Sequence, residues 1–510
     1  MTTEHIPDAA VDVLFGQSYF LRFDPKLYAA MQPYPPLGTL YAASMARAAG
    51  FTVALFDAML AASEDEWAAA LDRYQPRYAV LFEDNFNYLS KMCLGRMREA
   101  ALSMIGMARA RQITVIVCGA DATDHPQMYL DAGAQVILRG EGDATLIDVL
   151  QVLGASQNGH EALQQVAGIA FLENDGGISK VIQTAPRPIL RDLDAIPFPA
   201  WDLVDIARYR TAWIAAHGYY SVNMVTTRGC PYSCNWCAKP IWGQRYNVRS
   251  PENVLEELKM LCAVAAPDHI WFADDIFGLK PGWIQRFADL IESAGIHIPF
   301  KSLNRVDLLL QGDTVAALKR AGAHTVWVGA ESGAQSILDA MDKGTLVADI
   351  YAAAALLHKH GVQVGFFLQF GYPGEGRAEI EKTIQMVRDC MPDDIGISVS
   401  YPLPGTKFYE RVKASLSHKQ NWRDSDDLAM LYQGPFGTAF YRQLHTVIHK
   451  EYRARKTRRR LASMRPWKPA DIRQMGAALY YTLTLPAARA RLNRLAVEGA
   501  DPALTLATGA

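Results

Sequence analysis

Short apolar runs rich in β-branched residues punctuate the first third of the chain, at Val11–Phe15, Thr52–Phe56, Tyr78–Phe82, Ile113–Cys118 and Gln135–Leu138. Between them the apolar positions recur at helical spacing, most clearly over Leu37–Ala49 and Met97–Arg111. Strand-length runs alternating with helices predict an α/β domain over residues 1–155, a doubly wound, Rossmann-like parallel sheet with helices on both faces. GIAFLENDGGISKVI then predicts two strands turning at Gly176 and Gly177, and the prolines of PRPILRDLDAIPFPAWDLV predict an extended segment, so 156–217 reads as hairpin and linker. Alternation restarts over 218–410, with strands expected near Val222–Thr227, His269–Ala273, Pro299–Leu303, His324–Gly329, Val362–Phe370 and Ile395–Ser400. Six β/α steps predict a partial barrel, whose functional residues belong in loops at the carboxyl ends of its strands. Residues 411–510 read as a mainly helical, basic segment.

The chain is 510 residues long, half hydrophobic and one fifth charged, with 51 basic and 53 acidic side chains. At roughly 150 residues per domain it holds about three domains, and its near-neutral balance argues against nucleic acid bound along its length. No secretory signal or bilayer-long apolar run stands out, which points to a reducing cytoplasm and to thiols rather than disulfides. The exception to the charge balance is HKEYRARKTRRRLASMR, from His449 to Arg465. It reads as a solvated helix face or as a contact for an anionic substrate, nucleic acid or an acidic membrane, and the apolar IRQMGAALYYTLTLP after it leaves room for peripheral membrane contact.

Four of the seven cysteines are scattered; Cys230, Cys234 and Cys237 are not. They lie in TTRGCPYSCNWCAKP, directly after the first barrel strand, at C-x3-C-x2-C spacing. Three thiolates within eight residues can converge on one soft-metal centre. A structural zinc site fills four positions, and neither a histidine nor a fourth cysteine is near. A cubane of four irons held by three cysteines leaves one iron open to a ligand.

This spacing, with Trp236 before the third cysteine, resembles the signature of the radical S-adenosylmethionine (SAM) superfamily, and the likeness extends over most of 190–410. The resemblance implies a 4Fe-4S cluster on Cys230, Cys234 and Cys237, SAM on the open iron, and reductive cleavage of SAM to a 5'-deoxyadenosyl radical. It further implies SAM contacts from Trp236, from Asp274 and Asp275 in ADDIF where relatives have a glycine-glycine-glutamate motif, from Arg305 in LNRVD, from Glu331 and Ser332 in VGAESG, and from Gly371 and Gly374 in QFGYPGE.

A doubly wound sheet ahead of such a core resembles the cobalamin-dependent branch of the family. PYPPLGTLYAASMARAAG and GEGDAT match its segments, implying cobalamin contacts from Gly38, Gly119, Gly140, Glu141 and Gly142. The Asp-x-His-x-x-Gly motif of some cobalamin proteins is missing from FGQSYFLRFDPK, so no axial histidine is expected there; His125 reads as a surface residue. The resemblance implies an enzyme that methylates an unactivated carbon of a small molecule, supplied with electrons by a flavodoxin or ferredoxin. A cyclase or rearrangement enzyme with the same cofactors and a non-catalytic corrinoid or metal carrier are the competing readings. The substrate's identity is not written in the loops that should line its pocket.

Overall fold

The computed structural model describes residues 10–92, 94–155, 162–175, 178–237, 241–419, 421–462 and 469–498. They divide into two compact units, one of residues 1–231, 238–302 and 421–427, the other of 232–237, 303–420 and 428–510.

The first unit opens with the expected sheet. Strands β1 (Val13–Gly16), β2 (Val53–Leu55), β3 (Tyr78–Phe82), β4 (Thr114–Cys118) and β5 (Val136–Leu138) pair in parallel in the order β2-β1-β3-β4-β5. Because side chains alternate along a strand, each strand feeds two cores. Leu14, Leu81 and Val115 pack with Trp67 and Met104 on one face; Val13, Phe15, Val80 and Ile116 pack with Leu146 and Val149 on the other. The hairpin strands β6 (Ile169–Asp175) and β7 (Ile178–Gln183) extend this same sheet antiparallel to β5. A sheet boundary at residue 155 therefore falls too early, because the free edge of β5 is closed by the hairpin. The turn expected at Gly176 and Gly177 lies outside the described residues.

Further along the first unit, β8 (Ser221–Met224) pairs in parallel with β11 (His269–Phe272), and β11 with β12 (Phe300–Asn304). A small antiparallel pair, β9 (Thr227–Arg228) with β10 (Asn247–Val248), brackets the cysteines in sequence. The helix Pro251–Ala265 that follows β10 has proline in its first turn and Ser250 capping the Asn253 N–H at 3.1 Å, and it carries Cys262. In the second unit β13 (Ala323–Glu331), β14 (Gln363–Phe370) and β15 (Asp394–Val399) pair in parallel, with helices such as Val347–Lys359 and Arg377–Cys390 between them. The six parallel β/α steps are those of the expected partial barrel. Two long helices, Thr438–Ala462 and Pro469–Glu498, end the described chain, and no helix among the described residues is long and apolar enough to cross a membrane.

Candidate functional site

In a sheet of order β2-β1-β3-β4-β5 the connections leave β1 and β3 in opposite directions, which opens a ligand crevice at their carboxyl ends. Gln17 and Ser18 follow β1 there; Glu83, Asp84 and Asn85 follow β3. All five are buried. The Ser18 N–H donates to both Glu83 oxygens at 3.1 and 3.2 Å, and the Gly38 N–H donates to Asp84 Oδ1 at 3.0 Å. Burial pushes the Glu83 carboxyl up to about 7 and the Asp84 carboxyl up to about 6, with those amides pulling the other way. Gln17 Nε2, Ser18 Oγ and both side-chain polar atoms of Asn85 have no partner among the described residues. Buried polar groups are normally paired, so this cluster fits a polar ligand such as a corrinoid rimmed with amides.

Several residues expected to meet that ligand are placed around the same strand ends. A Cβ on Gly38 would stand 3.2 Å from Asp84 Oδ1, and one on Gly119 would stand 2.9 Å from Glu83 Cγ. Gly142 has a positive φ of 86°, and a Cβ there would reach 2.3 Å from Cys118 Sγ. Close packing of the protein on itself excludes a side chain at Gly119 and Gly142 and leaves little room at Gly38, whereas at Gly140, with φ 81°, no described atom comes nearer than 3.9 Å to where a Cβ would sit. Glu141 points elsewhere: its carboxylate accepts from Arg228 Nη1 at 2.6 Å and from the Leu190 N–H at 2.8 Å.

Arg228, two residues before Cys230, also meets Asp143 at 3.0 and 3.3 Å, and its guanidinium lies 5.0 Å from the Trp242 ring centroid and 5.4 Å from that of Tyr41. Burial pushes the Glu141 carboxyl up against the pull of this arginine. Gly229, at φ 87°, leaves no room for a side chain, since a Cβ would fall 2.2 Å from the Arg245 carbonyl oxygen.

Asp274 is committed to the same loop. Its carboxylate accepts the backbone N–H of Thr226 and of Thr227, each at 2.7 Å, and both threonine hydroxyls at 2.9 Å. Burial nonetheless pushes it up to about 6. Of the ADDIF pair, Asp275 is the partly exposed one, and it accepts from the buried Lys91 Nζ at 2.6 Å. Asp274→Ala should strand two amide donors and cost about 2–5 kcal/mol, whereas Asp274→Asn keeps an acceptor and should cost less than half of that. Denaturant unfolding and the iron content of each variant check this; equal losses would refute the positioning role.

In the second unit, Glu331 ends β13 at a register shift and with a positive φ of 55°, a conformation that non-glycine residues hold only where the surroundings enforce it. Its carboxylate accepts from Lys343 Nζ at 2.8 Å. Burial works to lower the Lys343 ammonium, but Glu331 and then the Cys234 thiol outweigh it and hold the group above its ordinary value. Lys343 also stands 5.7 Å from the Trp236 ring centroid, and Trp236 Nε1 is buried without a partner among the described residues. Glu331, Lys343, Cys234 and Trp236 are thus one neighbourhood. Asn235 anchors it: its N–H donates to the Met341 carbonyl at 3.0 Å, Nδ2 to the Ala340 carbonyl at 2.8 Å, and Oδ1 accepts from the Tyr372 hydroxyl at 2.8 Å. Arg305 stacks 3.6 Å from the Tyr232 ring centroid and is held by Asp307 at 3.0 Å and by the Lys343 carbonyl at 3.2 Å.

Other expected SAM contacts are used internally. The Ser332 hydroxyl meets Thr383 Oγ1 at 3.2 Å and the Ala334 N–H at 3.2 Å. Gly371, at φ 83°, donates its N–H to Glu375 Oε2 at 2.5 Å, accepts the Tyr432 hydroxyl at its carbonyl and packs on Met430 and Tyr441. Gly374, at φ 89°, has open space where a side chain would be. Glu375, buried and pushed by that burial up to about 8, keeps Oε1 unpartnered.

Cys230 falls in the first unit and Cys234 and Cys237 in the second, and none is in a disulfide. Among the described residues no group of three or more His, Cys, Asp or Glu is already gathered around a metal position, so the cluster assignment rests on the spacing. Reasoning from sequence missed Lys343, Asn235 and Arg228, and also Gln17, Ser18 and Asn85. The last three carry a readable signal, since polar residues stand immediately after the apolar runs VLFG and YAVLF.

Residues 224–387 match the family model of the radical SAM superfamily. An uncharacterized methyltransferase of Pyrococcus horikoshii is 29% identical over 316 residues, 61% of this chain and 66% of that protein. The anaerobic magnesium-protoporphyrin IX monomethyl ester cyclase of Cereibacter sphaeroides is 27% identical over 281 residues, 54% of this chain and 44% of that one. The chain thus spans about half to two thirds of the length of these curated relatives. Among solved structures, the cobalamin-dependent SAM radical enzyme OxsB, with aqua-cobalamin and SAM bound, superposes with a TM-score of 0.70 over 93% of this chain and 71% of its own, at 16% identity; this likeness is one of fold.

Proposed function

We propose that this chain, whose residues 224–387 match the radical SAM family model, is a cobalamin-dependent radical SAM enzyme that cleaves SAM reductively and methylates an unactivated carbon of a small molecule. The observation that carries the corrinoid half is the β1–β3 crevice, where Gln17, Ser18 and Asn85 present unpaired polar atoms ahead of a radical SAM domain on the same chain. When bound, the 4Fe-4S cluster supplies the electron that cleaves SAM, and the corrinoid supplies the methyl group.

The chain's own residues hold, orient and shield these groups. Cys230, Cys234 and Cys237 ligate the cluster. Asp274 and Arg228 fix the strand leading into Cys230, and Asn235 fixes the turn between Cys234 and Cys237. Glu331 and Lys343, beside Trp236, offer a carboxylate and an ammonium to the polar ends of SAM, and Gly374 adds an open backbone. Electrons come from a reduced flavodoxin or ferredoxin. The likeness to the anaerobic cyclase supports a second reading, in which both cofactors serve ring closure instead of methyl transfer.

Purification without oxygen, followed by loading with hydroxocobalamin, tests the corrinoid assignment. About one corrinoid should be retained per chain, with a spectrum free of imidazole ligation from the β1 loop, which contains no histidine. Gln17→Leu combined with Asn85→Leu should weaken retention by roughly 10-fold to 100-fold through lost polar contacts. A protein that takes up iron and cleaves SAM but never retains a corrinoid would leave an ordinary radical SAM enzyme.

A further inference from the structure

The helices Thr438–Ala462 and Pro469–Glu498 pack on each other antiparallel, as shown by Gln443 Nε2 to the Ala488 carbonyl at 2.9 Å, Lys450 Nζ to Thr484 Oγ1 at 2.9 Å and Arg458 to Thr482 Oγ1 at 3.1 Å. The first helix is fully used: Phe440, Leu444, Val447, Ile448 and Tyr452 are buried. The second is not. Its buried side chains among the described residues are Ala478, Ala488 and Leu492, on one face. The opposite face carries Leu479 at 61% exposure, Leu483 at 70% and Val497 at 79%, with Tyr480 at 58% on its rim, and exposed Pro486, Ala487 and Ala490 continue the stripe at helical spacing. Leucines this exposed on adjacent turns are not covered by any of the described residues.

The charge beside this stripe selects its occupant. The helix Thr438–Ala462 contains eight lysines and arginines against one acid, in a chain whose overall charge is -2. That acid, Glu451, is already consumed by Arg388 at 2.7 Å, Arg455 at 3.2 Å and Arg489. Lys450 lies 5.3 Å from the Tyr480 ring centroid on one edge of the apolar face, Arg458 reaches the other edge at Thr482, and Arg491 and Arg494 are exposed on the same helix. An apolar stripe between cationic edges, with tyrosines at the boundary, is the pattern of a helix lying in an anionic lipid surface. Polyphosphate chains would use the cations and leave the leucines in water, and a second copy would set cation against cation.

We propose that this helical pair is a docking surface for an anionic phospholipid bilayer, with Leu479, Tyr480 and Leu483 inserted at headgroup depth and the Lys450, Arg458, Arg491 and Arg494 cations on the phosphates. This inference is independent of the proposed reaction. The test is flotation of the full-length, anaerobically prepared protein with vesicles of phosphatidylcholine alone or mixed with phosphatidylglycerol. Binding to the mixed vesicles should exceed binding to the neutral ones by about 10-fold or more and fall with salt. Leu483→Asp and, separately, Arg491→Glu with Arg494→Glu should each lower it several-fold, while helicity and SAM cleavage stay at wild-type level. Equal binding to both vesicles, or anionic binding untouched by Leu483→Asp, would overturn the proposal. So would concentration-dependent dimerisation that Leu483→Asp abolishes in a protein that ignores vesicles, which would assign the face to a second copy.

Discussion

Cys234→Ala should lose the iron-sulfur cluster and all cleavage of SAM. Three thiolates and one open iron define the cubane, so a motif left with two cysteines cannot hold it, and iron should fall from about four per chain to near zero after anaerobic reconstitution. Cys234 is half-buried, close enough to Lys343 for its charge to bear on that ammonium, and follows a loop already fixed by Asp274. The substitution should therefore remove metal without unfolding the domain. Cys262→Ala is the control: that residue lies in the helix Pro251–Ala265 and should leave iron and cleavage intact. Wild-type iron in the Cys234 variant would end the cluster assignment.

Arg228→Met should be the most destabilising single change outside the cores. The side chain it removes is almost wholly buried between two carboxylates, Glu141 and Asp143, which are themselves buried. Removing one partner of such a group leaves charge with neither water nor counter-charge, at a cost of about 3–5 kcal/mol. Arg228→Lys should recover only part of this, because an ammonium cannot fork to two carboxylates as a guanidinium does. Adding Glu141→Gln and Asp143→Asn to Arg228→Met should restore most of the stability, since the penalty lies in the stranded charge and not in the missing contact. Denaturant unfolding of the single, triple and carboxamide-only variants separates these terms, and additive losses across the set would show that the three side chains do not act as a unit. The same triad joins the Gly140–Glu141–Gly142 turn to the strand before Cys230, so corrinoid retention should drop with it.

The strands and helices were legible because each carries its period on its own residues. Leu14 and Val13 face opposite cores for the same reason that the run reads as a strand. The membership of the Ile169–Gln183 hairpin in the first sheet was not legible, because antiparallel pairing to β5 is a tertiary choice that a local pattern does not encode. The three cysteines were legible from spacing, and Glu331 from its place at a strand end. Its partner Lys343 was not, since nothing in a lysine twelve positions on marks it as buried beside a carboxylate. Arg228 meets carboxylates 87 and 85 positions away, a pairing that only the fold creates. Ser332 shows the opposite failure: its motif is readable, yet its hydroxyl is spent on Thr383 and Ala334.

Methyl transfer through both cofactors leaves products that can be counted. Turnover under strict anaerobiosis with a chemical reductant and SAM bearing a deuterated methyl group, in the presence of candidate acceptor pools, should release S-adenosylhomocysteine and 5'-deoxyadenosine in parallel and place the labelled methyl on carbon of the acceptor. Formation of 5'-deoxyadenosine that depends on the acceptor, with corrinoid bound, no matching S-adenosylhomocysteine and no label gained, would contradict methylation and leave a radical enzyme that closes or rearranges its substrate.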